Sequence, residues 1–151
     1  MRLNHPLSCL LLLSMVFMTA CGEVEDTRPG QPVKQRQEAF KAMLRAFEPM
    51  GTMLRDKRYH AERFAQGAQA LAEWRDAPWA HFGPGTQYPP SKARDAVWNQ
   101  PEAFAQARER FVTAVDGLTA AVAAGQQPVI EQAYQQVYDS CQSCHKQFRE
   151  R

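Results

Sequence analysis

The sequence has no run of basic residues and no strong excess of either charge. Its 18 Lys and Arg stand against 16 Asp and Glu, and Arg2 falls within the leader described below. That balance gives no support to a nucleic-acid partner. An apolar run long enough to cross a bilayer as a helix is also lacking. The longest apolar stretch, Leu10 to Leu13 followed by Met15 to Phe17, is too short. From Pro32 onward no convincing period-two alternation marks a strand, which argues against a sheet. Internal repeats and low-complexity tracts are missing. Cysteine is scarce, four in 151 residues, and no second pair accompanies Cys141 and Cys144. What the chain does have is aromatic bulk: eight Phe, three Trp and four Tyr, which suits a domain packed around something large.

Residues 1–20 read as a signal peptide of the lipoprotein type. Met1, Arg2 and His5 form a mildly basic start, and the short apolar core follows. Met18-Thr19-Ala20-Cys21 resembles the lipobox of bacterial lipoproteins, in which the Cys is lipidated and becomes the mature N-terminus; Met at the first lipobox position departs from the usual Leu. The alternative is an ordinary secretory peptide with Cys21 a spare thiol. An unpaired Cys beside a cleavage site otherwise lacks a purpose, which favours lipidation. Residues 21–31 have little apolar content and read as a flexible tether. Either way the domain, residues 32–151, is expected to work outside the cytoplasm: in the periplasm, with the lipid on Cys21 as its sole hold on a membrane.

The domain reads as all-α. Phe40, Met43, Leu44, Phe47, Met50 and Leu54 keep three-and-four spacing, with Pro32 in a favourable first turn and Pro49 expected to kink the helix. Ala61, Phe64, Ala65, Ala68, Leu71 and Ala72 mark a second helix that stops before Pro78. Residues 77–91, with Gly83-Pro84-Gly85 and Pro89-Pro90, form a long loop, and long loops in compact domains are often functional. A short helical stretch through Trp98 precedes a third long helix opened by Pro101 and ended by Gly125. Pro128 starts the fourth, with Ile130, Ala133, Val137, Cys141, Cys144 and Phe148 along one face. Short turns and one long crossing loop argue for an antiparallel four-helix bundle.

Near the end of the last helix, Cys141-Gln142-Ser143-Cys144-His145 matches the c-type haem attachment pattern. Two thiols add across two vinyl groups and the next residue offers an imidazole to the iron. On a helix, positions 141, 144 and 145 share a face, so one turn supplies all three bonds. A redox-active dithiol would normally open a helix beside a strand, whereas this pair lies late in an all-helical chain. A zinc site needs a fourth ligand, and His60 and His81 lie in unrelated segments. A disulfide across two intervening residues would leave the adjoining His unexplained. The expected cofactor is therefore one covalent haem c per chain.

The order of these features resembles the class II c-type cytochromes, the cytochrome c prime family, over residues 34 to 149. Commoner c-type cytochromes carry the haem motif near the N-terminus and a Met ligand later. Here Arg36-Gln37 is similar to the family's Arg-Gln pair of the first helix. Pro78-Trp79-Ala80-His81-Phe82-Gly83-Pro84-Gly85-Thr86 resembles its inter-helix loop, and Ser91-Lys92-Ala93 with Val97-Trp98 resembles the stretch after it. Cys141 to His145, then Phe148-Arg149, resembles its ending. The resemblance implies His145 as proximal iron ligand and Arg149 beside the proximal haem face. It implies Arg36 and Gln37 at the haem edge near a propionate, with Ser91 and Lys92 approaching a propionate too. His60 and His81 remain ordinary surface or loop residues.

In this family the residue three after the Gln of the pair faces the open side of the iron, which here is Phe40. A phenyl ring cannot coordinate iron, so the resemblance implies five-coordinate haem with an apolar, sterically closed distal pocket. Dioxygen, whose bound form needs a polar donor, would gain little. Nitric oxide and carbon monoxide need such help less, so a periplasmic gas-binding protein, capturing nitric oxide, is expected. The rival is a low-spin electron carrier with Met43, one turn on, as the sixth ligand; the Arg-Gln spacing selects Phe40 and leaves Met43 to core packing beside Phe47. A haem enzyme such as a peroxidase lacks support, because no acid–base group is placed beside Phe40. Relatives are often homodimers pairing through the first two helices; the redox partner is unnamed by the sequence.

Overall fold

The computed structural model describes residues 24–150, so the leader and Cys21 lie outside the described residues. Helix α1 runs Pro32–Arg55, α2 Ala61–Trp74, α3 Ala96–Asn99, α4 Pro101–Ala124 and α5 Gln127–Phe148. A 3-10 turn, Trp79–His81, sits in the long loop between α2 and α3. Among the described residues, extended pairing is confined to one isolated antiparallel bridge, Ala93 with Arg149. The fold is an all-α four-helix bundle built from α1, α2, α4 and α5.

Local chemistry sets these boundaries. Prolines stand in the first turns of α1, α4 and α5, where their missing N–H would have no helical partner. Gly125 ends α4 at φ 72°, in the left-handed region, and its N–H returns to the Ala121 and Val122 carbonyls. Helix α1 continues through Pro49 to Arg55 without a break, so the proline does not divide it. Gly67 marks a close approach of α2 to α1, because a Cβ there would lie 2.9 Å from Met50 Cγ and 3.1 Å from the Ala46 carbonyl oxygen.

The main core gathers Met43, Phe47 and Met50 of α1, Phe64 and Leu71 of α2, Phe111, Val115 and Leu118 of α4, and Ile130 and Val137 of α5. Phe47 stacks on Tyr134 at 4.3 Å between ring centres, joining α1 to α5. A second, smaller cluster of Val97, Ala107 and Phe148 lies beyond it, towards the C-terminal end of α5. One large residue departs from the expected stripes: Leu44 is 49% exposed. With Met43 already filling the inward position, its neighbour on the helix is rotated off the core.

The segment read as a tether is docked from Asp26 onward. Asp26 is only 2% exposed, and its carboxylate accepts from the Arg28, Val33 and Lys34 amides and from the Tyr88 hydroxyl. The Val33 and Lys34 amides belong to the first turn of α1, so Asp26 acts as its cap from outside the usual capping position. That position is held by Gln31, left-handed at φ 43°, whose amide donates to the Asp26 carbonyl.

Candidate functional site

Helix α5 carries the cysteine pair on its last two turns. Cys141 is half-buried against the main core, and Cys144 is half-buried against the smaller cluster, so the pair spans the seam between them. No disulfide joins them. Burial pushes the Cys141 thiol up to about 11, against a smaller opposite pull from its hydrogen bond with Ser140. Burial raises Cys144 too, with the Arg110 cation pulling the other way. His145 is held below its ordinary value, first by burial and then by the Arg149 cation. At neutral pH the turn therefore presents two protonated thiols and an uncharged imidazole.

After Phe148 the chain leaves the helix and is pinned to the long loop. The Arg94 amide donates to the Phe148 carbonyl at 2.9 Å, and the Glu150 amide to the Lys92 carbonyl at 2.8 Å. Beside this tail lies an open cavity of about 660 Å³, lined by His145, Lys146, Arg149, Arg94, Gln142 and Glu150 among others. Cofactor sites commonly measure about 300–1,000 Å³.

At the other end of the loop stands Arg36, only 3% exposed. Its guanidinium donates to the His81 carbonyl at 2.7 Å, the Thr86 hydroxyl at 3.1 Å, the Thr86 carbonyl at 2.7 Å and the Ser91 hydroxyl at 2.7 Å. It also lies over the Phe82 ring, 4.6 Å from its centre. Gln37 donates to the Pro90 carbonyl at 3.2 Å. Thus Arg36, Gln37 and Ser91 do come together, as a clamp on the loop. Lys92, exposed, instead joins the tail beside Arg149. His60 caps α2, and His81 sits in the 3-10 turn.

Phe40 is half-buried and meets Trp79 and Phe82 edge-on, at 5.8 and 6.3 Å between ring centres. From Phe82 the rings continue through Phe104 at 5.1 Å to Phe148 at a further 5.2 Å. This path connects α1 to the residue one turn past Cys144. The Trp79 indole N–H is committed to the Arg75 carbonyl, and that of Trp98 to the Phe82 and Gly83 carbonyls. Met43, by contrast, is 5% exposed within the main core that also holds Phe47. Trp79, Phe82 and Phe104 were not singled out by the sequence as surroundings of Phe40; the signals were the high aromatic count and, for Trp79 and Phe82, their place in the long loop.

These residues fit a covalently attached haem. Thioether formation would consume the two S–H groups and leave uncharged sulfur, in keeping with surroundings that already disfavour thiolate. An uncharged imidazole keeps the lone pair that iron needs.

The family model described as Cytochrome C' matches residues 31–149. The chain is 30% identical to a cytochrome c' of Alcaligenes xylosoxydans xylosoxydans over 125 residues, covering 82% of this chain and 97% of that one. It is 30% identical to the crystal structure of cytochrome c' from Rubrivivax gelatinosus, with a TM-score of 0.77 over 83% of this chain and 100% of that one. Structures of variants of the Alcaligenes xylosoxidans protein, one with bound carbon monoxide and one ferrous with bound NO, are 30% identical with TM-scores of 0.76, covering 84% of this chain and 100% and 99% of theirs. The chain belongs to the cytochrome c' family.

Proposed function

We propose that this chain is an exported haem c protein, one covalent haem per chain, that captures nitric oxide or carbon monoxide in the periplasm and catalyses no reaction. The observation that carries this reading is the apolar setting of Phe40: Trp79 and Phe82 meet it edge-on, and the Trp79 and Trp98 indole N–H groups are occupied by carbonyls. When bound, the haem supplies an iron able to take a diatomic gas as an axial ligand. Cys141 and Cys144 would hold it through two thioether bonds, each S–H adding across one vinyl group with the hydrogen retained on the other vinyl carbon. His145 offers its lone pair, and Arg149 lies at the next turn beside it. Phe40 supplies bulk and no hydrogen bond, so dioxygen gains little, while nitric oxide and carbon monoxide, which need no donor, are favoured. Arg36, a buried cation surrounded by neutral acceptors, supports the assignment of a propionate to the loop that Arg36, Gln37 and Ser91 hold, with Lys92 beside it.

Lipidation of Cys21 is proposed as the membrane attachment. A second copy is proposed to pair through α1 and α2, where Leu44 and Trp74 expose 49% and 44% of their surface.

Optical spectroscopy of the purified protein tests the reading. Colour that stays with the polypeptide through acid-acetone extraction, a high-spin ferric spectrum and a shift on adding nitric oxide are expected. Colour lost to the solvent, or a low-spin ferric spectrum indifferent to nitric oxide, would overturn it.

A further inference from the structure

Four cations meet at the C-terminal end of α5, and two separate parts of the chain supply them. Lys146 lies in the last turn of α5 and Arg149 just past its end. Lys92 and Arg94 arrive from the long loop, brought there by the Ala93–Arg149 bridge and the two backbone hydrogen bonds beside it. The Arg94 guanidinium also donates to the Lys146 carbonyl at 3.2 Å, which ties loop and helix end together. All four side chains are exposed, and none is ion-paired with a carboxylate among the described residues. Arg94, Lys146 and Arg149 line the open cavity next to His145, where Glu150 is the one acidic lining residue. The formal net charge of the whole chain is only +2, so this concentration is local.

We propose that this cationic rim is the docking surface for an acidic redox protein that exchanges a single electron with the haem iron. The proposal rests on the haem reading given above. In the exchange the partner's reduced centre loses one electron and ferric iron gains it, giving ferrous iron; no bond forms or breaks and no proton is required. A small anion is the poorer occupant. The cations stand dispersed on exposed side chains around an open cavity, whereas a small anion is held by donors converging on one point. A dispersed rim of one sign matches the acidic face of a protein, steering its approach and setting its orientation. The rim surrounds His145, so a docked partner would come to rest close to the iron's protein ligand.

The test is stopped-flow reduction of the oxidised holoprotein by a reduced acidic flavodoxin across a range of ionic strength. The double variant Lys92→Glu with Lys146→Glu is compared with Lys57→Glu and Arg58→Glu, an equal change of charge on the exposed turn between α1 and α2. A haemochrome spectrum and a midpoint potential are recorded first for each protein, so that cofactor loss and driving force are separated from docking. The rate with wild type should fall steeply with salt, since the attraction is screened within about 10 Å at 0.1 M. The rim reversal should slow the low-salt rate by about tenfold or more and flatten its salt dependence, while the remote pair changes it little. Lys92→Gln with Lys146→Gln should give an intermediate loss, which guards against misfolding of the reversal. Equal slowing by rim and remote variants, or a wild-type rate indifferent to salt, would overturn docking while leaving the haem reading intact. A protein without haem c would overturn both.

Discussion

Phe40 and Met43 stand one turn apart on α1 and have opposite surroundings. Phe40 is half-buried among aromatic edges, and Met43 lies within the main core. If the phenyl ring guards the iron, an incoming gas must first displace it, which adds a barrier and no specific bond. Phe40→Ala should therefore speed carbon monoxide association and raise affinity, measured by flash photolysis and titration. Full burial of a Phe would make the truncation cost about 3–5 kcal/mol; half-burial places it below that range. Met43→Ala should cost about 2–5 kcal/mol as a core cavity and leave the resting spectrum unchanged. A low-spin iron that turns high-spin in Met43→Ala, with gas binding untouched in Phe40→Ala, would make Met43 the ligand and the protein an electron carrier. The attachment motif was legible in the sequence because it is contiguous, and Phe40 was pointed to by the resemblance, as the third residue after Gln37. The acceptors of Arg36 were not. They lie 45 to 55 residues away, and two of the four are carbonyls, which any residue type supplies equally; the other two are the hydroxyls of Thr86 and Ser91.

At the scale of elements, the helix starts and stops were readable because Pro and Gly act locally. Prolines in first turns and Gly125 at a left-handed terminus mark the boundaries wherever the chain goes next. The cap of α1 was not readable, since Asp26 reaches the Val33 amide across seven residues and sits in a segment of polar composition. Burial pushes the Asp26 carboxyl up, but hydrogen bonds from Arg28, Tyr88, Lys34 and Val33 outweigh it, leaving the group below its ordinary value of 3.8. A carboxylate depressed in the folded state contributes stability that is present above its unfolded value and lost as pH falls through the folded one. Asp26→Asn should therefore lower the urea midpoint most at about pH 6, with the gap to wild type closing as the pH drops below about 4. A gap that stays constant down to acid would show that the carboxylate charge contributes nothing.

For the whole molecule, the described residues account for the bundle and its site, while the proposed route out of the cytoplasm rests on the sequence of residues 1–21 alone. Mass spectrometry of the mature protein should find a modified N-terminus at Cys21, and Cys21→Ser should release the domain from membranes into the soluble periplasmic fraction. An unmodified N-terminus elsewhere would rule the anchor out. The smaller apolar cluster, together with Cys144 and the loop-to-tail pairing, puts the site at one end of the bundle, opposite the turn between α1 and α2. Asp26 gives that placement a consequence of reach. Five Cα steps separate Cys21 from Asp26, so a lipid on Cys21 would leave at most about 18 Å of chain before the docked segment pulls taut. With Cys21 lipidated as proposed, a domain on so short a leash would not tumble freely over the lipid: the start of α1 would stay close to the surface. A gas dissolved in the hydrocarbon would then meet the haem end of the molecule first.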